Sequence, residues 1–131
     1  MTTERDLKQR TKGFALRVLK LIDAVPETRA GRVLAGQLGR SGTSVGANYR
    51  SACRSRSTAE MISKFAVVEE EADESGFWLE LVAEHGLMPA EKIAPLLREA
   101  DELTAIMVAS RRTLQAGLQK SKIENPKSKI R

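Results

Sequence analysis

A repeating pattern between Met61 and Val82 constrains the fold more than any other feature of the sequence. Small and apolar residues recur there in alternating steps of four and three, which places them on one face of a helix that packs against other helices. Ser57 and Glu60 form the S-x-x-E pattern that opens a helix, and Gly86 stands where helices commonly end. The segment is therefore predicted to be one long helix. Its buried face consists of Met61, Phe65, Val68, Ala72, Ser75, Leu79 and Val82.

Two more helices are predicted before this one. Apolar residues repeat at helical spacing from Phe14 to Val25, and Pro26 ends this first helix because proline disfavours helical geometry in the residue before it. Thr28 is a suitable capping residue for a second helix, which is expected to run from about residue 29 to residue 54.

A fourth helical segment begins at Pro89, and its apolar stripe continues to Leu114. Pro95 is expected to break or kink its first turns. The chain after this helix is charged and poor in apolar residues, so residues 1–118 are predicted as the bundle domain and residues 119–131 as a basic, disordered tail. Four helices with short connections predict an all-α, up-down-up-down four-helix bundle.

Composition limits where the protein works and what it binds. No apolar run approaches the ~20 residues needed to cross a bilayer, and the single Cys53 suits a reducing compartment, so a cytoplasmic protein with no membrane partner is expected. Residues 1–64 hold 13 Lys/Arg against 5 Asp/Glu, whereas residues 65–116 hold 4 against 11. Such halves favour attraction of phosphate by one side, pairing between subunits, or pairing within the chain.

Arginines gather on one flank of the second helix. On a helical wheel its apolar residues fall together, and five arginines fall nearly opposite them. These arginines are Arg29, Arg32, Arg40, Arg50 and Arg54. Arg56 falls outside this flank but lies with Arg54 near the N-terminus of the third helix, where anions are favoured. The planar guanidinium group matches phosphate bidentately, so phosphate is the best external ligand for this surface.

The same helix contains Gly36, Gly39, Gly42 and Gly46, and each costs up to about 1 kcal/mol in a helix interior. One interpretation is that the glycines pack against another helix of the chain while the arginines pair with carboxylates of the third helix. The other interpretation is that the arginines bind an external polyanion.

Two pairs of glutamates allow several interpretations. Glu71 and Glu74 fall beside Trp78, where they would pair with arginine of the same chain or of a neighbouring subunit. Together with Glu99 and Glu102 they also resemble the paired carboxylates with which all-α nucleotide pyrophosphohydrolases hold Mg²⁺, and this alternative stays open. No cofactor or metal is predicted. The thiol of Cys53 has arginine neighbours that would lower its pKa, although a small-residue role is favoured.

The stretch "SGTSVGANYRSACRSRSTAEMISKF", followed by "EEEADESGFWLEL", resembles the bacterial four-helix-bundle family of proteins encoded in 23S rRNA intervening sequences. It also resembles the related accessory variability determinant of diversity-generating retroelements. The matching residues are Ser44, Val45 and Asn48 in helix two, and Arg54, Arg56 and Glu60 in the turn after it. The resemblance implies a bundle that assembles into a ring, commonly a pentamer. For the retroelement relative it also implies binding of nucleic acid and a reverse transcriptase.

These observations predict a non-enzymatic, self-associating bundle that binds nucleic acid, RNA or DNA, through the arginine-rich face of helix two. A reverse transcriptase or other protein is a further partner implied by the resemblance. The predicted binding residues are Arg29, Arg32, Arg40, Arg50, Arg54 and Arg56, and the predicted subunit contacts are Glu71, Glu74 and Trp78. The alternative is an assembly or adaptor protein whose arginines pair across subunit borders and never meet a polyanion.

Overall fold

A computed structural model describes residues 3–124 of the chain. They form four helices, α1 (Glu4–Ala24), α2 (Arg29–Ala52), α3 (Thr58–Glu84) and α4 (Ala90–Glu124), and no strand occurs within this range. The predicted all-α class is confirmed. The second helix ends two residues before its predicted limit, because Arg54 already belongs to the turn that leads into α3.

Side-chain caps fix the ends of the helices as the sequence predicts. The hydroxyl of Thr28 accepts a hydrogen bond from the Gly31 N–H at 2.9 Å and opens α2. The hydroxyl of Ser57 accepts one from the Glu60 N–H at 3.1 Å and opens α3. After α3 the chain reverses at Gly86, whose φ of +81° is a backbone conformation that glycine adopts without strain.

Consecutive helices pack side by side, so α1 lies against α2, α2 against α3, and α3 against α4. The bundle closes through a much smaller contact between α1 and α4, and α1 therefore lies diagonally opposite α3. The core contains residues from all four helices. Its largest fully buried side chains include Phe14, Leu38, Leu79, Ile93 and Leu103. The predicted face of α3 is confirmed, since only Met61 of that set is partly exposed.

The predicted break at Pro95 is wrong, since α4 continues through it. Pro95 is exposed and lies close to the start of the helix at Ala90. The missing N–H therefore removes a single bond, to the carbonyl of Glu91, on the exposed side of turns whose other side carries the buried Ile93 and Leu96. At its other end α4 continues to Glu124, into the segment predicted as a tail; residues 125–131 of that segment lie outside the described range.

Three glycines of α2 allow α1 to approach it closely. A Cβ atom added at Gly39 would lie 3.1 Å from Cδ1 of Ile22. A Cβ atom added at Gly42 would lie 2.7 Å from Cγ2 of Val18, and one added at Gly46 would lie 3.2 Å from the carbonyl oxygen of Thr11. At Gly36, by contrast, an added Cβ would have no neighbour within 4 Å. Packing within the chain therefore explains these three glycines and leaves Gly36 without a packing role.

Candidate nucleic-acid interface

The arginine flank of α2 is continuous, as the sequence interpretation requires. The helix is unbroken from Arg29 to Ala52, and its opposite face is buried in the core. All six arginines predicted to bind nucleic acid are exposed. The flank is long, because Arg29 and Arg50 are separated by about 32 Å along the helix at 1.5 Å per residue.

Arg40, in the middle of the flank, pairs with carboxylates of the same chain. One guanidinium nitrogen lies 3.2 Å from a carboxylate oxygen of Glu71, and a second nitrogen contacts Glu74. Two negative charges thus face one positive charge, so Arg40 ties α2 to α3 and supplies no free positive charge. For this residue the structure agrees with the interpretation in which α2 arginines pair with the third helix.

The remaining arginines have no carboxylate partner among residues 3–124. Arg29 and Arg32 lie at the start of α2, and Arg50 and Arg54 lie at its end. The guanidinium group of Arg56 also has no carboxylate partner in this range, but its backbone N–H donates a hydrogen bond to the Glu60 carboxylate at 2.9 Å. Since α2 contains no acidic residue, its own helix does not compensate this charge.

A groove of about 510 Å³ lies between α1 and the C-terminal part of α2. Lys8 and Lys12 line it from α1, and Arg50 and Arg54 line it from α2 and the turn that follows. No carboxylate lines it within the described part of the chain. Four cations around one concave surface produce a concentrated positive potential that attracts polyanions.

Apart from Gln9, the rest of the groove lining consists of the small residues Ala15, Thr43, Gly46 and Ala47. They lie where the backbones of α1 and α2 come close together, as the contact between Gly46 and Thr11 shows. The long cationic side chains therefore stand above a shallow floor, and no bulky residue separates them from a ligand.

Sequence reasoning missed Lys8 and Lys12 as candidate binding residues. Their spacing of four residues places them on one face of α1, and this was the only signal in the sequence. Which face of α1 adjoins the arginine flank depends on the packing of Val18 and Thr11 against the glycines of α2. That packing is a property of the tertiary structure.

The two carboxylate pairs suggested as a magnesium site lie on different edges of the bundle. Glu71 and Glu74 face Arg40 at the α2–α3 edge. Glu99 and Glu102 face Arg10 at the α1–α4 edge, with N···O distances of 2.6 and 2.9 Å. The hydrogen bonds that Arg10 donates to the Glu99 carboxylate raise the pKa of Arg10. Each pair therefore binds an arginine, and within residues 3–124 no group of three or more His, Cys, Asp or Glu is placed to hold a metal ion.

The three residues predicted as subunit contacts lie on α3, and two of them, Glu71 and Glu74, face Arg40 of α2. Glu71 and Glu74 pair within the chain, which was one of the two pairings the sequence allowed. Trp78 is partly buried and packs edge-on against Phe77 with their ring centroids 5.1 Å apart. A role for these three residues between subunits stays a prediction.

The family-signature residues build α2 and its exit turn. Val45 is fully buried, and the side-chain amide of Asn48 donates to the carbonyl of Ser44 at 2.9 Å. The Glu60 carboxylate accepts the Arg56 N–H, and this bond, with a smaller contribution from Lys64, lowers the pKa of Glu60. The N-terminus of α3 favours a nearby negative charge, and the carboxylate of Glu60 supplies that charge from within the protein.

The less favoured alternative for Cys53, in which neighbouring arginines lower the pKa of its thiol, is not supported. Burial raises the pKa of the thiol, and a hydrogen bond with Glu4 raises it further. Arg54, which follows Cys53 in sequence, lines the groove and is not among the groups that shift the pKa of the thiol. In the described part of the chain, no helix is both long enough and apolar enough to cross a membrane.

The fold and the groove together define a four-helix bundle with uncompensated positive charge between its first two helices. The chain belongs to the family of 23S rRNA-intervening sequence proteins, whose family model matches residues 3–109. No individually curated protein matches it. A crystal structure of a protein of unknown function from the S23 ribosomal protein family of Bacteroides thetaiotaomicron is similar, with a TM-score of 0.77 and 28% sequence identity. That similarity covers 83% of this chain and 97% of the other.

Proposed function

We propose that the protein is a cytoplasmic, non-enzymatic, self-associating bundle that binds nucleic acid, preferentially RNA, through the groove between α1 and α2. The observation that carries the proposal is the set of four groove cations, Lys8, Lys12, Arg50 and Arg54, with no carboxylate among the described residues that line the groove. The name of the family, which refers to an rRNA insertion, supports RNA over DNA.

The groove is best suited to the sugar-phosphate backbone. Its cations are long side chains that donate hydrogen bonds, and among residues 3–124 no aromatic side chain lines it to stack on a base. Phosphate contacts fix the position of a nucleic acid but carry no base information. The proposed binding is therefore weakly sequence-selective and strongly dependent on salt.

Arg29 and Arg32 extend the surface at the other end of α2. A polyanion that reaches both ends must span about 32 Å along the helix and pass Arg40, which is neutralised by Glu71 and Glu74. A short oligonucleotide would bind in the groove alone, and a longer one would also gain the contacts at the start of α2.

The proposal includes no catalytic step, because each of the two carboxylate pairs binds an arginine. A Mg²⁺-dependent release of pyrophosphate from a panel of nucleotides, lost in Glu71→Gln, would contradict this part of the proposal.

The test measures RNA affinity between 50 and 200 mM salt for the native chain and for Arg50→Gln/Arg54→Gln. For a single-stranded RNA, each lost phosphate contact lowers the slope of log K against log salt by about 0.7, so the double variant should lose about 1.4. The matched control is Arg98→Gln/Arg112→Gln, which removes the same charge from exposed positions of α4. We expect the control to keep the native slope. Equal losses in both variants would show that overall charge, and not the groove, binds the RNA.

A second candidate function is assembly without nucleic acid, and the charge distribution of α3 favours it. The exposed face of α3 carries carboxylates and no cation, so the basic surface of another copy is a suitable partner. On this reading the groove variants would change the size of the assembly and leave RNA retention unchanged. Size measured on the same samples separates the two functions.

A further inference from the structure

The close contact between α1 and α2 fixes which groove cations lie beside one another. Gly42 of α2 lies against Val18 of α1. Gly46, one turn later in α2, lies against an earlier part of α1, since an added Cβ atom would be 3.2 Å from the Thr11 carbonyl oxygen and 3.6 Å from the Lys12 nitrogen. The two helices therefore run antiparallel, and Gly46 is level with Thr11 and Lys12 along the groove.

This antiparallel register places the four cations at three levels. Lys12 is level with Gly46. Lys8 lies four residues earlier in α1 and Arg50 four residues later in α2, so these two are level with each other on opposite walls. Arg54 comes one turn after Arg50, just past the end of α2. At 1.5 Å per residue, neighbouring levels are about 6 Å apart, with two cations at the central level and one at each outer level.

The acidic residue that shares the level of Arg54 is turned away from the groove. The Glu4 carboxylate accepts a hydrogen bond from the Cys53 thiol and lines a different cavity, together with residues of α3 and α4. All four groove cations are exposed, and none has a carboxylate partner among residues 3–124. Each of the three levels therefore keeps its positive charge.

The spacing of the levels suits phosphates that are separated by one nucleotide. Neighbouring phosphates of an extended nucleic-acid strand are about as far apart as one turn of an α-helix. In a nucleoside triphosphate a single oxygen joins neighbouring phosphorus atoms, so its phosphates are too close together to reach successive levels. A phosphate at the central level accepts hydrogen bonds from both walls, whereas one at an outer level meets a single cation.

We propose that the groove binds three successive phosphates of one nucleic-acid strand, and that Lys8 and Arg50 hold the central phosphate between them. Lys12 and Arg54 bind the phosphates on either side, so the strand runs along the groove axis. The minimal ligand is a tetranucleotide, whose four nucleosides are joined by three phosphates. This inference rests on the proposed function, because it defines the ligand of the same groove.

The test measures how strongly a uridine tetranucleotide competes with a fluorescent single-stranded RNA for the full chain at low salt, about 50 mM. Three analogues each replace one phosphate by an uncharged methylphosphonate. In the native chain, loss of the central charge should weaken competition more than loss of either outer charge. Uridine triphosphate should compete less well than the tetranucleotide, although it carries more charge.

Variants of the groove cations assign each cation to a phosphate. Lys8→Gln and Arg50→Gln should each weaken binding of the tetranucleotide by about threefold and should have little effect on the analogue with an uncharged central phosphate. Lys12→Gln is the matched control within the groove. It should keep its effect with the central analogue and lose it with one of the two outer analogues. Each variant changes an exposed side chain, so the helices should persist, which circular dichroism checks.

Double variants provide a second readout. Lys8→Gln/Arg50→Gln should depart from the product of its two single effects by at least about twofold, because both side chains bind one phosphate. Lys12→Gln/Arg54→Gln should match the product, because these cations lie about 12 Å apart along the groove and bind different phosphates.

The results separate this inference from the function on which it rests. A native chain that binds no long RNA removes the proposed function, and the three levels with it. If long RNA binds, the three levels alone are overturned by equal effects of the three analogues, by Lys8→Gln and Lys12→Gln responding to the same analogue, or by a tetranucleotide that fails to compete. Equal competition by uridine triphosphate would show that the groove recognises dense negative charge and not the spacing of phosphates.

Discussion

At the scale of single residues, the glycines of α2 show that identical residues have different roles. Gly42 faces Val18, which is fully buried and has no room to move, whereas Gly36 is exposed on the outer side of the helix. The cost in helix propensity is the same at both positions, but only at Gly42 does close contact between helices offset it.

We expect opposite effects from the same substitution at these two glycines. Gly42→Ala places a methyl group 2.7 Å from Val18 and should destabilise the protein by about 1–2 kcal/mol, since overpacking exceeds the gain in helix propensity. Gly36→Ala meets nothing within 4 Å and should stabilise it by about 0.5–1 kcal/mol. Urea unfolding of both variants measures the difference, and equal effects would contradict the helix contact.

At the scale of the helix, α3 depends on a cap whose strength varies with pH. The Glu60 carboxylate accepts the Arg56 N–H and lies 3.2 Å from the Lys64 ammonium. Both contacts favour the ionised form, so the pKa of Glu60 is lower in the folded state than the ordinary value near 4.5. The stabilisation is therefore fully present above the unfolded pKa and is lost as pH falls through the folded pKa.

We expect Glu60→Gln to lower the melting temperature at neutral pH and to have little effect in acid. The difference from the native protein should shrink as pH falls below about 4.5, because the native side chain is then protonated as well. Glu27→Gln is the matched control, since Glu27 is exposed and makes no ion pair in residues 3–124. Thermal melts from pH 7 to pH 3 give the comparison. A difference that is constant over this range would show that the cap does not depend on the charge.

At the scale of the whole molecule, the bundle is closed unevenly. α1 is held along its length by α2, but it meets α4 through a small contact in which Arg10 binds Glu99 and Glu102. The side chain of Glu99 is only 16% exposed, so it depends on its partner more than a surface carboxylate does. The ion pairs of Arg10 with Glu99 and Glu102 therefore stabilise the smallest of the four contacts between helices.

Removing the cation from this edge should loosen α1. We expect Arg10→Gln to destabilise the protein by about 1–2 kcal/mol, as the loss of hydrogen bonds to a charged group does, and to speed amide hydrogen exchange in α1 more than in α3. Arg17→Gln is the matched control, because Arg17 is exposed on the same helix without a carboxylate partner among the described residues. Uniformly faster exchange in all helices would mean that α1 does not open on its own.

The helices follow from the amino-acid sequence alone. Their number, their caps at Thr28 and Ser57, and the buried face of α3 all follow from spacing and from local hydrogen bonds, which involve residues within one or two turns of each other. The exposure of the arginine flank followed for the same reason, since one helix determines which of its side chains point the same way. The break expected at Pro95 did not occur, because one lost hydrogen bond on the exposed side of α4 is offset by the burial of Ile93 and Leu96 in the same turns.

Which charges remain unpaired depends on how the helices pack together. Pairing of Arg40 with Glu71 and Glu74, and of Arg10 with Glu99 and Glu102, requires residues from helices far apart in sequence to face one another. The same holds for the groove, because Lys8 and Lys12 join the arginines only once the glycines of α2 admit α1. Periodicity determines which side chains of one helix share a face. The rotation of one helix against another is set by packing, so the residues that meet in the groove are determined by the tertiary structure.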